Sequence, residues 1–244
     1  GGIDRDATFR FGYPFALTNI DPHTQGSAAI QPAIFLSYDR LVHPTPSGEL
    51  VPGLAESWDI EDDGATLVLH LRPGVTFHDG TPFDAEAVRA NIERGQTIEG
   101  STVAAALAPI EQVEVVDDAT VRFHLSSTSA YILLAQFSGY AGCMISPAAF
   151  DTDLTQVPVG AGMYKLVDNR QDSAVYERFG DYWKPADVGA ARFEYHALPD
   201  DTTRWNALRT GELDATVLSA PQLFADIEPA GFNAAIRPTL EYTN

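Results

Sequence analysis

Hydrophobic and polar positions change period several times along this chain, and each change marks an element. Residues 66–71 alternate strictly: Leu67, Leu69 and Leu71 share one face, and Thr66, Val68 and His70 share the other. That is the period of a half-buried strand. A short strand at 57–60 and an acidic turn at 61–64 precede it. Asp63-Gly64 supplies a favoured hairpin turn pair, because glycine accepts a positive φ without a steric penalty. Arg72-Pro73-Gly74 ends the strand, since proline cannot donate to a ladder. After a loop at 75–83 the period becomes helical. Asp84 is the expected N-cap, Glu86 favours the dipole in the first turn, and Phe83 and Val88 have hydrophobic-staple spacing. Val88 and Ile92 form the apolar stripe, and Gly95 is the expected C′ residue.

The same reading covers the rest of the chain. A strand is expected at 8–11 and a turn-rich passage at 14–23. A helix is expected over 29–42, with Ile30, Ile34, Phe35, Tyr38, Leu41 and Val42 on one face and Pro44 and Pro46 ending it. A small-residue helix at 102–107 precedes strands at 110–116 and 120–125, which flank Asp117-Asp118. Then come a helix at 131–137, a buried strand at 143–145, a hairpin of 164–167 with 175–178, and an aromatic knob at 181–185. A strand at 193–198 leads to a helix capped by Asp200 or Asp201, running to 208 and ended by Gly211. A strand at 213–218 follows, and that spacing implies a right-handed crossover and a parallel pair. A short helix at 221–227 and strands at 232–237 and 240–242 complete the pattern. The fold class is therefore α/β, in its mixed α+β form, with antiparallel hairpins in the middle of the chain.

Composition narrows the function. The chain has 244 residues, 45% of them hydrophobic, enough for a core near the size at which cores split. Lys+Arg is 15 against 34 Asp+Glu, a formal charge of −19 that repels nucleic acid and anionic headgroups, so no nucleic-acid partner is expected. The single cysteine, Cys143, sits in an apolar run and reads as a small buried hydrophobe. No apolar run reaches membrane-spanning length. Gly1-Gly2 reads as a processing boundary.

The motifs for chemistry fail on spacing. Asp59, Glu61, Asp63 and Gly64 resemble the start of a calcium loop, but its twelfth position is His70 rather than a bidentate carboxylate. His78-Asp79 reads as a turn in which Asp79 accepts from backbone amides. The paired carboxylates lie in turns. There is no G-x-S-x-G, H-E-x-x-H, C-x-x-C or phosphate loop. No catalytic residue, metal ligand or cofactor is expected.

A set of segments in order resembles one family. They are Ile20-Asp21-Pro22-His23, the run from Leu50 to Trp58 (LVPGLAESW), and the run from Leu71 to Phe83 with its R-P-G-V-x-F-H-D-G-x-P-F core. Val159-Gly160-Ala161-Gly162-Met163-Tyr164, Asp181-Tyr182-Trp183 and Leu208-x-x-Gly211-Glu212-x-Asp214 complete the set. Together they resemble the N-terminal half of a family 5 extracellular solute-binding protein, the peptide/nickel-type binding component of ABC importers. Ala161 and Met163 depart from the threonine and proline usual there.

The resemblance implies a type II periplasmic-binding-protein lobe. Its expected parts are a discontinuous mixed-sheet domain, 1–34 with 155–244, and an inserted α+β domain, 35–154. Family members are about twice as long, so the chain is expected to lack a second, C-terminal lobe. It implies an extracytoplasmic, non-enzymatic protein, lipid-anchored in its precursor, that delivers an oligopeptide or dipeptide to ABC permease subunits. Oligosaccharide or nickel-chelate binding within the same family, and a secreted hydrolase, are the alternatives. Ligand-facing residues implied by the resemblance are Thr24, Gln25, Gly26 and Ser27, Tyr140 with Ala141 and Gly142, Leu218 with Ser219, and Asn244.

Overall fold

The structure is a computed structural model that describes residues 4–235. Two sheets with separate cores carry the architecture. The first strand, β1 (Thr8–Tyr13), lies inside a five-stranded sheet, and a short helix, α1 (Gln31–Ser37), packs on that sheet's apolar face. A two-stranded ribbon follows, β2 (Val42–Pro44) with β3 (Leu50–Pro52). Next come β4 (Ala55–Glu61), β5 (Thr66–Leu71), helix α2 (Ala85–Thr97), α3 (Ala104–Leu107), β6 (Ile110–Asp117) and β7 (Thr120–Leu125). Strands β4, β5, β7 and β6, in that spatial order, form an antiparallel sheet. Helix α4 (Ala130–Gln136) completes that unit. The chain then returns to the larger sheet with β8 (Tyr164–Asn169), β9 (Ser173–Arg178), β10 (Arg192–Ala197), helix α5 (Asp201–Thr210) and β11 (Ala215–Thr216).

The larger sheet has the order β11-β1-β10-β9-β8. β10 and β11 run parallel to β1, one on each side of it. The expected parallel relation of β10 and β11 is present, but β1 lies between them. Alternation puts Phe9, Phe11 and Tyr13 on the face that also carries Phe193, Tyr195 and Tyr176, and these rings stack in a continuous series. On the other face, Gly12 packs against Leu213 and, from helix α5, Arg204. A Cβ there would lie 2.4 Å from Leu213 Cδ1.

Several expectations are corrected. The helix over 29–42 ends at Ser37, because Tyr38 is extended (φ −116°, ψ 125°). Its buried positions are real but serve two cores. Ile30, Ile34 and Tyr38 enter the core of the larger sheet, whereas Leu41 and Val42 enter the core of the smaller one. Pro44 lies in β2 and ends no helix. Gly95 is not a C′ residue: α2 continues to Thr97, and Gly95 is buried where a Cβ would meet Leu107 Cδ1 at 2.6 Å. The acidic turn expected at 61–64 lies at 62–65, because Glu61 pairs with Thr66, and Asp62, Asp63 and Gly64 are all at positive φ. β5 is buried on both faces apart from His70, because it is interior to its sheet. Cys143 and Ile145 make isolated bridges to Arg40 and Gly160 rather than a strand. The strand expected over 213–218 is reduced to β11. Residues 232–235 are not a strand, and the strand expected at 240–242 lies outside the described residues.

Polar groups stitch the two cores together. Asp39 is buried between them. Its Oδ1 accepts from the Arg40 amide and pairs with His43 Nε2 at 2.5 Å, and its Oδ2 accepts from Tyr182 Oη and Trp183 Nε1. Burial works against the Asp39 charge, but the His43 hydrogen bond and charge, with Trp183 and the Arg40 amide, outweigh it and hold the carboxyl below its ordinary value. The loop after β5 reaches across in the same way. His78 N donates to Gly160 O, Lys165 Nζ donates to His78 O at 2.6 Å, and His78 Nε2 lies 2.9 Å from Gly162 O.

Candidate functional site

The parallel strands β1, β10 and β11 end together at one edge of the larger sheet. Crevices at the carboxyl ends of parallel strands are where open α/β sheets bind ligands, because the loops that leave that edge are free to diverge. Pro14 ends β1 and turns Phe15 outward, where it is 51% exposed. Leu198 N donates to Tyr13 O at 2.8 Å, and Thr216 pairs with Gly12, so the segments after β10 and β11 flank the end of β1.

The loop from Asp21 to Ser27 builds one wall of this edge. Thr24 N and Gln25 N both donate to Asp21 O. The Gln25 side chain is used within the loop: Nε2 donates to Asn19 O and Oε1 accepts from Ser27 N. Ser27 Oγ accepts from Ala29 N and caps the turn of 28–30. A Cβ on Gly26 would touch Thr102 Cγ2 at 3.3 Å. Arg94 anchors the loop from α2, with Nη2 at 2.7 Å from Asp21 Oδ2 and Nη1 at 3.0 Å from His23 Nδ1. His23 is fully enclosed. Its burial, together with the Arg94 charge, lowers its pKa to about 4, so the ring is neutral at pH 7.

Tyr140, which packs against both cores, meets this loop. Its hydroxyl donates to Ser27 O at 2.6 Å, and its ring packs edge-on against Phe35, which in turn lies under the Arg40 guanidinium at 3.9 Å. Tyr13 Oη donates to Ala29 O, and Tyr195 Oη donates to Phe15 O at 2.6 Å. The segments around Ser27 and Tyr140 are therefore brought together at the strand ends, with Tyr13 and Phe15 beside them. Ala141 and Gly142 are buried next to Tyr140 as packing positions. A Cβ on Gly142 would fall 1.8 Å from Phe137 O, so only glycine fits there.

Leu218 and Ser219 follow β11 at the same edge and are held from helix α5. Asp200 caps that helix by accepting from Thr203 N. Arg204, only 1% exposed, donates Nε to Val217 O at 2.9 Å, Nη1 to Leu198 O and Nη2 to Asp201. Asp201 Oδ2 accepts from Ser219 N, Ser219 Oγ and Ala220 N. One buried ion pair thus fixes the segments that leave two parallel strands. Asn244 lies outside the described residues.

Tyr13, Phe15 and Phe35 were absent from the residues expected on sequence. Their aromatic character reads as core in an alternating strand or helix. The available signal was Pro14, which ends a strand one residue before an exposed phenylalanine. An open apolar cleft of about 530 Å³ bordered by Thr8, Phe9, Leu36, Met163 and Phe193 lies at the opposite, amino end of β1. Among the described residues, no group of three or more His, Cys, Asp or Glu is placed to hold a metal ion. Cys143 is a free, buried thiol whose pKa is pushed up by its burial. Among the described residues, no helix is long and apolar enough to cross a membrane.

Three comparisons bear on this geometry. The family model for bacterial extracellular solute-binding proteins, family 5 Middle, matches residues 49–244. The glutathione-binding protein GsiB of Pectobacterium atrosepticum is 33% identical over 214 residues, which cover 85% of this chain and 41% of that protein. The crystal structure of an ABC transporter substrate-binding protein from Sinorhizobium meliloti superposes with a TM-score of 0.79 at 32% identity, covering 93% of this chain and 48% of that one. The periplasmic binding protein DppA of Helicobacter pylori, in complex with the peptide STSA, superposes with a TM-score of 0.82 at 25% identity, covering 92% and 49%. The chain therefore spans about half the length of the solved proteins it resembles, or less of the curated one, and its fold is that of their type II periplasmic-binding-protein lobe.

Proposed function

The chain belongs to the bacterial extracellular solute-binding proteins of family 5, and from that premise we propose that it is one lobe of an extracytoplasmic receptor that binds a short peptide and delivers it to an ABC importer. The observation that carries this reading is the shared ending of β1, β10 and β11 beside the Asp21–Ser27 loop and Tyr140. A second lobe closing over that edge would desolvate the ligand, and the gain is differential affinity for the closed state rather than any chemical step. Peptide is favoured because GsiB is named for glutathione and DppA holds a peptide. In this reading the two cores belong to two domains, 1–34 with 155–244 and the inserted 35–154. The permease subunits and the second lobe are its partners, and a lipid anchor on the precursor would keep it at the cell surface or in the periplasm.

Native mass spectrometry of the full-length receptor tests the reading. The expected result is a co-purified mass of a few amino-acid residues that is lost on unfolding and restored by adding short peptides. A co-purified sugar or metal chelate in its place, or turnover of an added peptide, contradicts it.

A further inference from the structure

The polar and apolar groups at the strand edge are unequally available to a ligand. Tyr13 donates its hydroxyl to Ala29 O and Tyr140 donates its own to Ser27 O, so both phenols are already tied to backbone. Gln25 uses both ends of its amide within its loop, and Ser219 gives its amide and its hydroxyl to Asp201. The Arg40 guanidinium lies over the Phe35 ring and donates to Ser138 O. What remains turned outward is apolar: Phe15 is 51% exposed and Val217 42%, with Leu218 and the rings of Tyr13, Phe35 and Tyr140 partly exposed around them. Tyr13 packs edge-on against Phe15 at 6.0 Å, and Phe35 against Tyr140 at the same distance.

We propose that this rim is a subsite for an aromatic or large aliphatic side chain of the peptide, centred on Phe15, Tyr13 and Val217. The proposal rests on the peptide-receptor reading and adds the chemistry of the residue this lobe selects. Aromatic rings gain both area burial and offset or edge contacts from such a rim. Holding the Tyr13 and Tyr140 rings by their own hydroxyls pre-organises those contacts, which reduces the ordering lost on binding. The charged peptide termini then fall to groups outside this rim.

Titration calorimetry on the full-length receptor with Ala-Phe and with Gly-Gly tests the proposal, using the wild type and Phe15→Ser. The expected wild-type preference for Ala-Phe is about tenfold or more. Phe15→Ser removes most of that preference, because it lowers Ala-Phe affinity far more than Gly-Gly affinity. Equal affinities for the two peptides, or an equal loss for both in Phe15→Ser, overturns the subsite alone. No binding of either peptide by the wild type overturns the peptide-receptor reading, and the subsite with it. Phe15→Ala serves as the second variant if Phe15→Ser fails to fold, and an undiminished preference for Ala-Phe in that variant overturns the subsite.

Discussion

Two enclosed histidines set the acid response of this molecule. His23 lies under the candidate ligand loop against Arg94, and His78 joins the two cores against Gly162. Burial is the main cause that lowers each to about 4 from 6.5. The Arg94 charge adds to it at His23 and the Lys165 charge at His78, while the Gly162 carbonyl opposes it. A ring whose folded pKa lies below its unfolded value takes up protons more readily when the chain unfolds. Its contribution to stability is therefore complete above pH 6.5 and is lost as pH falls toward 4. The loss is on the order of 3 kcal/mol per ring across that window, from about 1.4 kcal/mol per pKa unit. Urea unfolding at intervals from pH 7 to pH 4.5 is expected to show a falling midpoint, and His78→Gln to flatten the slope by roughly half. A midpoint that stays level between pH 6.5 and pH 5 in the wild type contradicts this account of the two rings.

At the scale of elements, the loop between β5 and α2 is the joint of the structure. The run from Arg72 to Phe83 reads in the sequence as the interior of one unit, yet His78 bonds to Gly160, Gly162 and Lys165 of the other, and Asp79 holds the loop in place. Asp79 Oδ1 accepts from Thr81 N and Thr81 Oγ1, and Oδ2 accepts from Ser146 Oγ at 2.6 Å. Asp79→Ala removes all three bonds, and a loss of about 2 kcal/mol is expected from urea melts. Faster amide exchange at Thr81 accompanies it, and an unchanged midpoint would contradict the joint. The Asp79 turn was legible because an aspartate two residues before an amide is a local pattern. The antiparallel hairpins and the capped helices α2 and α5 were legible for the same reason. The helix over 29–42 was not, because burial reports that a side chain is inside without saying inside which core, and Tyr38 and Leu41 go to different ones. Gly95 misled in a related way: its role is set by Leu107, which is distant in sequence. Of the candidate site, the segments at Ser27, Tyr140 and Ser219 came from resemblance. The Asp201–Arg204 pair that fixes Ser219 and the Phe15 rim depend on which strands lie side by side, a long-range property that local patterns do not carry.

The whole molecule is a five-stranded mixed sheet and an antiparallel one, joined by buried polar groups, with a candidate site open at one edge. An open edge offers a ligand contacts on one side only. Most of the binding free energy of a clamp comes from the closed state, in which both sides are covered and water is excluded. In the proposed receptor this chain is one half of such a clamp. The most direct test of that role is titration calorimetry with Ala-Phe on the 244-residue chain alone and on the full-length receptor in the same buffer. Micromolar or tighter binding is expected of the receptor, and at least about a hundredfold weaker binding of the chain alone. Micromolar affinity in the isolated chain would contradict it.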